Sequence, residues 1–202
     1  MNTEKLNMQT AIEMPLSELS FVLGNVRRVN YSDLLISSVV HDSRHAKPGS
    51  LFVAVPGTAQ DGHDYIDDAL DRGAVAVVCE RVPEPVPDCP VIQVEDSHVA
   101  LSALADHFNG SPSGKVSVVG VTGTDGKSST TAIAAHILRQ EGNGVGTLGT
   151  QQYFLGARTL DSSLTTPDPL HLHAMLREME QSGLRHACME VSSHALAQHR
   201  TD

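Results

Sequence analysis

The stretch Val116-Ser-Val-Val-Gly-Val-Thr-Gly-Thr-Asp-Gly-Lys-Ser-Ser-Thr-Thr131 limits what this chain can fold into more than any other. Its opening β-branched apolar run, Val116 to Val121, is the pattern of a buried parallel strand. Glycines follow at Gly120, Gly123 and Gly126, then Lys127, Ser128 and a helix-forming run from Ala132 to Gln140. Strand, glycine-rich turn and helix in that order make a phosphate cradle. The glycines reach backbone conformations closed to other residues, so successive N–H groups can converge on an anion. The helix adds about half a positive charge at its N-terminus. Lys127 is placed to bridge outer phosphates, and the Ser128 hydroxyl to sit on Mg²⁺. The spacing departs from the common pattern, since five residues separate Gly120 from Gly126. Counting from Gly123 gives the shorter Gly-x-x-Gly-Lys-Ser. An ordinary glycine-rich turn is the alternative, and the flanking strand and helix argue against it.

The 202 residues suffice for one or two domains with real cores. There is no Trp and few aromatics, so those cores must be built from Val, Leu, Ile and Ala. No apolar run approaches a membrane span, and Met1 to Met14 lacks an apolar signal core, reading as a short mobile lead-in. Cys79, Cys89 and Cys188 are odd in number and lack metal-type spacing, which argues against disulfides and zinc. A cytoplasmic location is expected. Up to Pro112 the chain holds 7 Lys and Arg against 16 Asp and Glu; beyond it, 7 against 8. An acidic chain without a basic stripe is a poor nucleic-acid binder, so an anionic ligand must be held by local groups.

The pattern divides the chain at Asn109-Gly-Ser-Pro-Ser-Gly114, a linker by composition. Residues 1–112 read as a small α/β domain: a helix over 16–24, strands over 36–41 and 51–55, a helix over 65–72, strands over 74–78 and 91–94, and a helix over 99–108. Residues 113–202 read as a second domain. After the cradle come a strand over 145–150, a hairpin or loop over 151–163, a helix started by Thr165-Thr-Pro-Asp-Pro169 and ended at Gly183, and a strand over 186–191. This β-α-β alternation implies a parallel, doubly wound sheet, with about three strands present and a sequence that looks cut off at Asp202.

Glu190 ends an apolar strand, at the rim where open α/β sheets bind ligands. A carboxylate there is placed to hold Mg²⁺, or else simply faces solvent. His194 either assists at the metal or caps the turn. Asp42-Ser43-Arg44 follows a strand, where Asp and Ser commonly build turns. Thr165 and Thr166 are equally suited to capping the following helix. His171 and His173, two apart on a helix, cannot share a face, and both read as surface residues.

Thr122-Gly-Thr-Asp-Gly-Lys-Ser-Ser129, Leu164-Thr-Thr-Pro-Asp-Pro169 and Met189-Glu-Val-Ser-Ser-His-Ala-Leu-Ala-Gln-His-Arg200 resemble the Mur ligases. Upstream, Asp42-Ser-Arg44, Lys47-Pro-Gly-Ser-Leu-Phe-Val-Ala-Val-Pro-Gly57 and Asp61-Gly-His63 resemble that family's UDP-binding domain. The pairing of Thr-Thr-Pro-Asp-Pro with Glu-Val-Ser-Ser-His is that of the branch adding the third residue of the peptide. Two positions depart from it: Asp125, usually Asn, and Ser128, usually Thr. Ser keeps the hydroxyl, whereas Asp125 puts a negative charge beside the phosphates.

The resemblance implies an α/β fold with a small N-terminal UDP-binding domain and an incomplete ATP-binding domain. It implies an ATP- and Mg²⁺-dependent amide ligase of peptidoglycan precursors, cytoplasmic and monomeric at full length, without membrane insertion or nucleic-acid partners. Its substrates would be UDP-MurNAc-L-Ala-D-Glu and a diamino acid, diaminopimelate or lysine. By that resemblance Gly123, Thr124, Asp125, Gly126, Lys127, Ser128 and Ser129 bind ATP. Ser128 and Glu190 hold the metal, with Lys127, Glu190 and His194 as the catalytic set. His41, Ser43, Thr58, Ala59 and Gln60 hold the UDP end; Thr165, Thr166, Ser192, Gln198 and Arg200 hold the muramoyl-peptide. The family's C-terminal, amino-acid-selecting domain has no counterpart here, so the chain alone is expected not to complete ligation. Two other readings stay open. One is the folylpolyglutamate synthase branch, which should lack the first domain; the other is a non-catalytic nucleotide-binding remnant.

Overall fold

The computed structural model describes residues 13–57 and 60–202. The lead-in up to residue 12 and the pair Thr58 and Ala59 lie outside the described residues. The chain packs as two compact units, the first ending at Ser97 and the second running from His98 to Asp202.

The first unit opens with β1 (Met14–Pro15) and α1 (Leu16–Phe21), followed by β2 (Arg27–Val29), β3 (Leu35–Ile36), β4 (Ser38–Val40) and β5 (Ser50–Val53). Helix α2 (Ile66–Asp71), β6 (Ala74–Cys79) and β7 (Val91–Gln93) complete it. Strands β4, β5, β6 and β7 run parallel, and β2 closes one edge antiparallel in the order β2-β7-β6-β5-β4. β1 and β3 form a separate two-stranded pair. Val40, Phe52, Val77 and Val91 from the sheet bury against Ile66 and Ala69 of α2. Burial is what makes these short β-branched runs strands.

The second unit begins with α3 (Ser97–Phe108), whose first residue is the last of the first unit. The Pro112–Gly114 stretch is a short 3-10 turn inside this unit. Next come β8 (Ser117–Val121), α4 (Lys127–Gln140), β9 (Val145–Leu148) and a hairpin of β10 (Gln152–Phe154) and β11 (Thr159–Asp161). Helix α5 (Pro169–Gln181), β12 (His186–Glu190) and the short α6 (Ser193–Ala197) finish the chain. The sheet order is β11-β10-β9-β12-β8, with β12 parallel to both β8 and β9 and the hairpin antiparallel. The sheet therefore has five strands, three of them parallel. Val145 and Cys188 pack against Ala135 of α4, while the neighbouring Gly146 abuts Met179 of α5. Successive strand residues face opposite sides, so α4 and α5 cover opposite faces. The alternation also puts Glu190 on the α4 face with Cys188.

Two expectations fail. β8 is not a buried strand: Val118 and Val119 are 40% and 41% exposed. It is the terminal strand of its sheet and pairs, among the described residues, only with β12, so β-branched composition did not report burial. His173 is not a surface residue either. It is 3% exposed, with Nδ1 3.1 Å from the Asp106 carboxylate on α3. Desolvation pushes the His173 pKa down, opposed by Asp106. His171 does lie at the surface, on Asp168, the N-cap of α5.

This burial map predicts an asymmetry. Leu148→Ala, at a fully buried position, should destabilise the second unit by about 2–5 kcal/mol. Val119→Ala should cost about 1 kcal/mol or less. Denaturant unfolding of the two variants checks this, and similar losses would contradict the exposed position of β8.

Candidate active site

The cradle is built as its sequence requires. Gly126 takes φ +77° at the N-cap of α4 and Gly123 φ +147°, left-handed conformations open to glycine. The helix therefore starts at Lys127, with Ser128 in its first turn. The Lys127 ammonium donates to the Gly123 carbonyl at 2.8 Å and the Thr124 carbonyl at 3.1 Å. Thr124, Asp125 and Gly126 are exposed.

Glu190 is the meeting point. It is 4% exposed at the C-terminal end of β12, where the parallel register places it opposite Val121, just before the cradle. Ser128 Oγ donates to its Oε2 at 2.9 Å. The Thr150 amide donates to Oε1 at 3.0 Å, and Thr150 Oγ1 to Oε2 at 3.1 Å. A Cβ at Gly149 would collide with the carboxylate, so glycine there allows the approach. Both carboxylate oxygens accept, all from neutral donors, and no cationic side chain is among these hydrogen-bond partners. A cleft of about 420 Å³ opens from Ser128 and Glu190 along α4 toward Gln151 and Arg139.

The Thr165–Thr166 segment joins the same rim. The Thr165 and Thr150 hydroxyls lie 3.3 Å apart, within hydrogen-bond distance. Thr166 is 1% exposed; its hydroxyl donates to the Glu190 carbonyl at 2.9 Å and accepts from the Ser192 amide at 3.0 Å. The Ser192 hydroxyl caps α6 by accepting from the Ala195 amide. Arg200 donates to the Thr166 carbonyl at 3.1 Å and grips the Gln198 side-chain oxygen at 2.6 Å. The muramoyl-peptide candidates thus form one bonded group. His194 stays apart from it, exposed on α6.

In the first unit, Asp42 caps the 3-10 turn Ser43–His45 and holds the Arg44 guanidinium at 2.6 Å. Arg44 is the main reason its carboxyl titrates at about 2. Ser43 is buried, and the Asp68 carboxyl is held low first by Arg72 and then by Ser43. His41 is half-buried and Gln60 exposed. The Gln60 carbonyl accepts from the Gly57 amide at 2.9 Å. Thr58 and Ala59 lie outside the described residues.

Position and spacing did not single out three groups. Thr150 grips Glu190, and its place after a rim glycine was the available signal. Tyr153 hydrogen-bonds the Leu164 backbone. His63 pins its own turn, Gly62–Tyr65, to the end of β6. Its Nε2 accepts from the Glu80 and Arg81 amides at 3.1 and 3.3 Å, so its proton sits on Nδ1, 2.6 Å from Asp61 Oδ1.

Two family models match the chain: the Mur ligase family, catalytic domain, over residues 35–109, and the Mur ligase middle domain over residues 121–202. The chain belongs to the Mur ligase family. A curated relative from Cytophaga hutchinsonii is 39% identical over 189 residues, 93% of this chain. It is a UDP-N-acetylmuramoyl-L-alanyl-D-glutamate--2,6-diaminopimelate ligase, and this chain spans 39% of its length. A solved structure of such a ligase matches at TM-score 0.68 and 23% identity, over 82% of this chain and 34% of that one; the likeness is one of fold. The MurF ligase from Thermotoga maritima, solved in complex with ADP, matches at TM-score 0.50 and 28% identity, over 77% of this chain and 32% of that one. Among the described residues no helix is long and apolar enough to cross a membrane.

The Asp61 cluster of this Mur ligase chain carries a pH signature. The His63 amide, then the His63 ring, then Arg81 hold the Asp61 carboxyl at about 2, against an ordinary 3.8. A depressed carboxyl stabilises fully above its unfolded pKa and loses that contribution as pH falls through the folded one. Asp61→Asn should therefore lower the melting temperature at about pH 7, with the deficit shrinking between about pH 4 and pH 2. Thermal melts across that range read it, and a deficit constant with pH would refute it.

Proposed function

We propose that this chain carries the UDP-substrate and nucleotide sites of an ATP-dependent acid–amino-acid ligase of peptidoglycan precursor synthesis. Its substrate would be UDP-N-acetylmuramoyl-L-alanyl-D-glutamate, extended by a diamino acid. The Cytophaga relative, a 2,6-diaminopimelate ligase, favours that diamino acid. The single observation that carries the reading is the convergence on Glu190. The phosphate cradle through Ser128 and the rim residue Thr150 meet at its buried carboxylate, and the Thr165–Thr166 segment at its backbone carbonyl.

The donor set fits Mg²⁺. That ion takes hard oxygen ligands, commonly one or two from protein with the rest from phosphates and water. Ser128 Oγ and Glu190 supply such oxygens at the mouth of the cradle. Mg²⁺ there would offset charge on the nucleotide phosphates. Lys127 would leave its loop carbonyls for those phosphates, and the loop amides with the α4 N-terminus would hold them in place. Thr165, Ser192, Gln198 and Arg200 would orient the muramoyl-peptide so that its terminal carboxylate meets the γ-phosphoryl group. The carboxylate would attack the γ-phosphorus with ADP leaving, and the amine would then attack the acyl phosphate, losing a proton as phosphate departs. Such chemistry draws mainly on positioning and charge neutralisation. Ser43, with His41, Thr58, Ala59 and Gln60, would hold the UDP end.

Calorimetry of the purified chain with UDP-N-acetylmuramoyl-L-alanyl-D-glutamate, a folate and Mg²⁺–ATP tests this. Binding of the UDP ligand and ATP but not the folate is expected; folate binding alone would overturn it. Lys127→Ala should weaken ATP binding by at least about tenfold, the loss of a charged hydrogen-bond donor, and leave the UDP ligand unaffected. Glu190→Gln should raise the Mg²⁺ concentration needed for ATP binding, read by titrating Mg²⁺ at fixed ATP. An unchanged titration would give Glu190 a purely structural role.

A further inference from the structure

The segment carrying Thr165 and Thr166 lies between β11 and α5. It belongs to no strand ladder, and Leu164, which leads into the two threonines, is 44% exposed. Thr166 is buried and held by Glu190, Ser192 and Arg200, but neither pairing nor burial fixes the Leu164 end of the segment. Tyr153 supplies the missing restraint. Its hydroxyl donates to the Leu164 carbonyl and accepts from the Leu164 amide, the latter at 3.2 Å. Ser162 Oγ adds a bond to the same carbonyl at 2.9 Å.

Tyr153 is itself rigid. It is 2% exposed and the central residue of β10, paired with Leu148 of β9 on one side and Leu160 of β11 on the other. A buried phenol needs a hydrogen-bond partner, and this one takes both backbone polar groups of a single exposed residue. Three residues earlier, Thr150 holds the Glu190 carboxylate, and its hydroxyl lies 3.3 Å from that of Thr165. One short run, 149–153, therefore braces the carboxylate at one end and the threonine segment at the other.

We propose that Tyr153 is a positioning residue for the muramoyl-peptide. Its hydroxyl clasps Leu164 and so sets the adjoining Thr165 at the rim, next to a Thr166 already held by Glu190 and Ser192, without touching the ligand. This rests on the ligand assignment under Proposed function. A mere core role for the ring predicts no effect of removing the hydroxyl, since Tyr153→Phe keeps the buried ring.

Two measurements test it. In calorimetry, Tyr153→Phe should weaken UDP-N-acetylmuramoyl-L-alanyl-D-glutamate by about tenfold, as expected for two lost hydrogen bonds. Mg²⁺–ATP affinity should stay within about twofold. Unchanged affinity for the UDP ligand overturns the proposal, and so does equal loss for both ligands. Amide hydrogen exchange on the ligand-free chain reads the clasp directly. The Leu164 amide should be protected in the parent and exchange at least about tenfold faster in Tyr153→Phe, with the β9 and β12 amides as reference. An unprotected Leu164 amide in the parent overturns the proposal without any variant. If the parent fails to bind the UDP ligand, the functional reading falls, while exchange still decides the clasp.

Discussion

A carboxylate taken out of water must be given partners, and the second unit is arranged around that requirement at Glu190. Leaving a buried acceptor unpaired costs about 1–3 kcal/mol, and more when it is charged. Here the three donors come from separate places: the first turn of α4, and the backbone and side chain of Thr150 after β9. Bringing them together needs β12 between β8 and β9 in parallel register, and glycine at position 149. The donors are neutral, so they solvate the carboxylate without cancelling its charge. That is the condition for a site that still attracts a cation.

Much of this was legible. The cradle, its helix and the strand ending in Glu190 each carry a local signal: glycine spacing, a capping position or an apolar run with a carboxylate at its end. What stayed hidden was set by neighbours. Val118 and Val119 have the composition of a core strand, yet exposure depends on what lies beside β8, which no local pattern encodes. His173 looked polar and therefore solvent-facing, but α5 packs it toward the Asp106 carboxylate of α3, a partner 67 residues away in sequence. β2 pairs antiparallel with β7, far along the chain, and its Arg-Arg-Val sequence resembles no strand signal.

Resemblance and geometry inform different halves of the site. Motif likeness named Thr166 and Ser192 as residues for the muramoyl-peptide. In the structure the Thr166 hydroxyl is spent on the Glu190 carbonyl and the Ser192 amide, and the Ser192 hydroxyl caps α6. A motif can therefore owe its residue types to holding a rim together as much as to touching a ligand. The first unit repeats the theme. Asp61 and His63 spend their side chains fixing a turn to the end of β6, and so carry Gln60 on a tethered loop.

The electrostatics of the chain leave little room for any other design. The first unit is strongly acidic and the second nearly balanced, so no long-range field draws in a nucleotide or a UDP-sugar. Attraction must come from short-range donors: cradle amides, one ammonium, a guanidinium beside Thr166. Against that background Asp125 matters more than it would in a basic protein. It sits exposed in the loop, two residues from a lysine whose ammonium is bonded to loop carbonyls and not to that carboxylate. Its charge therefore faces the anion's approach without compensation from Lys127. The opposing contribution would be the proposed metal site at Ser128 and Glu190, where a cation between carboxylate and phosphate would turn one repulsion into two attractions. Nucleotide binding in this chain should accordingly lean on the divalent ion more heavily than the cradle alone would require.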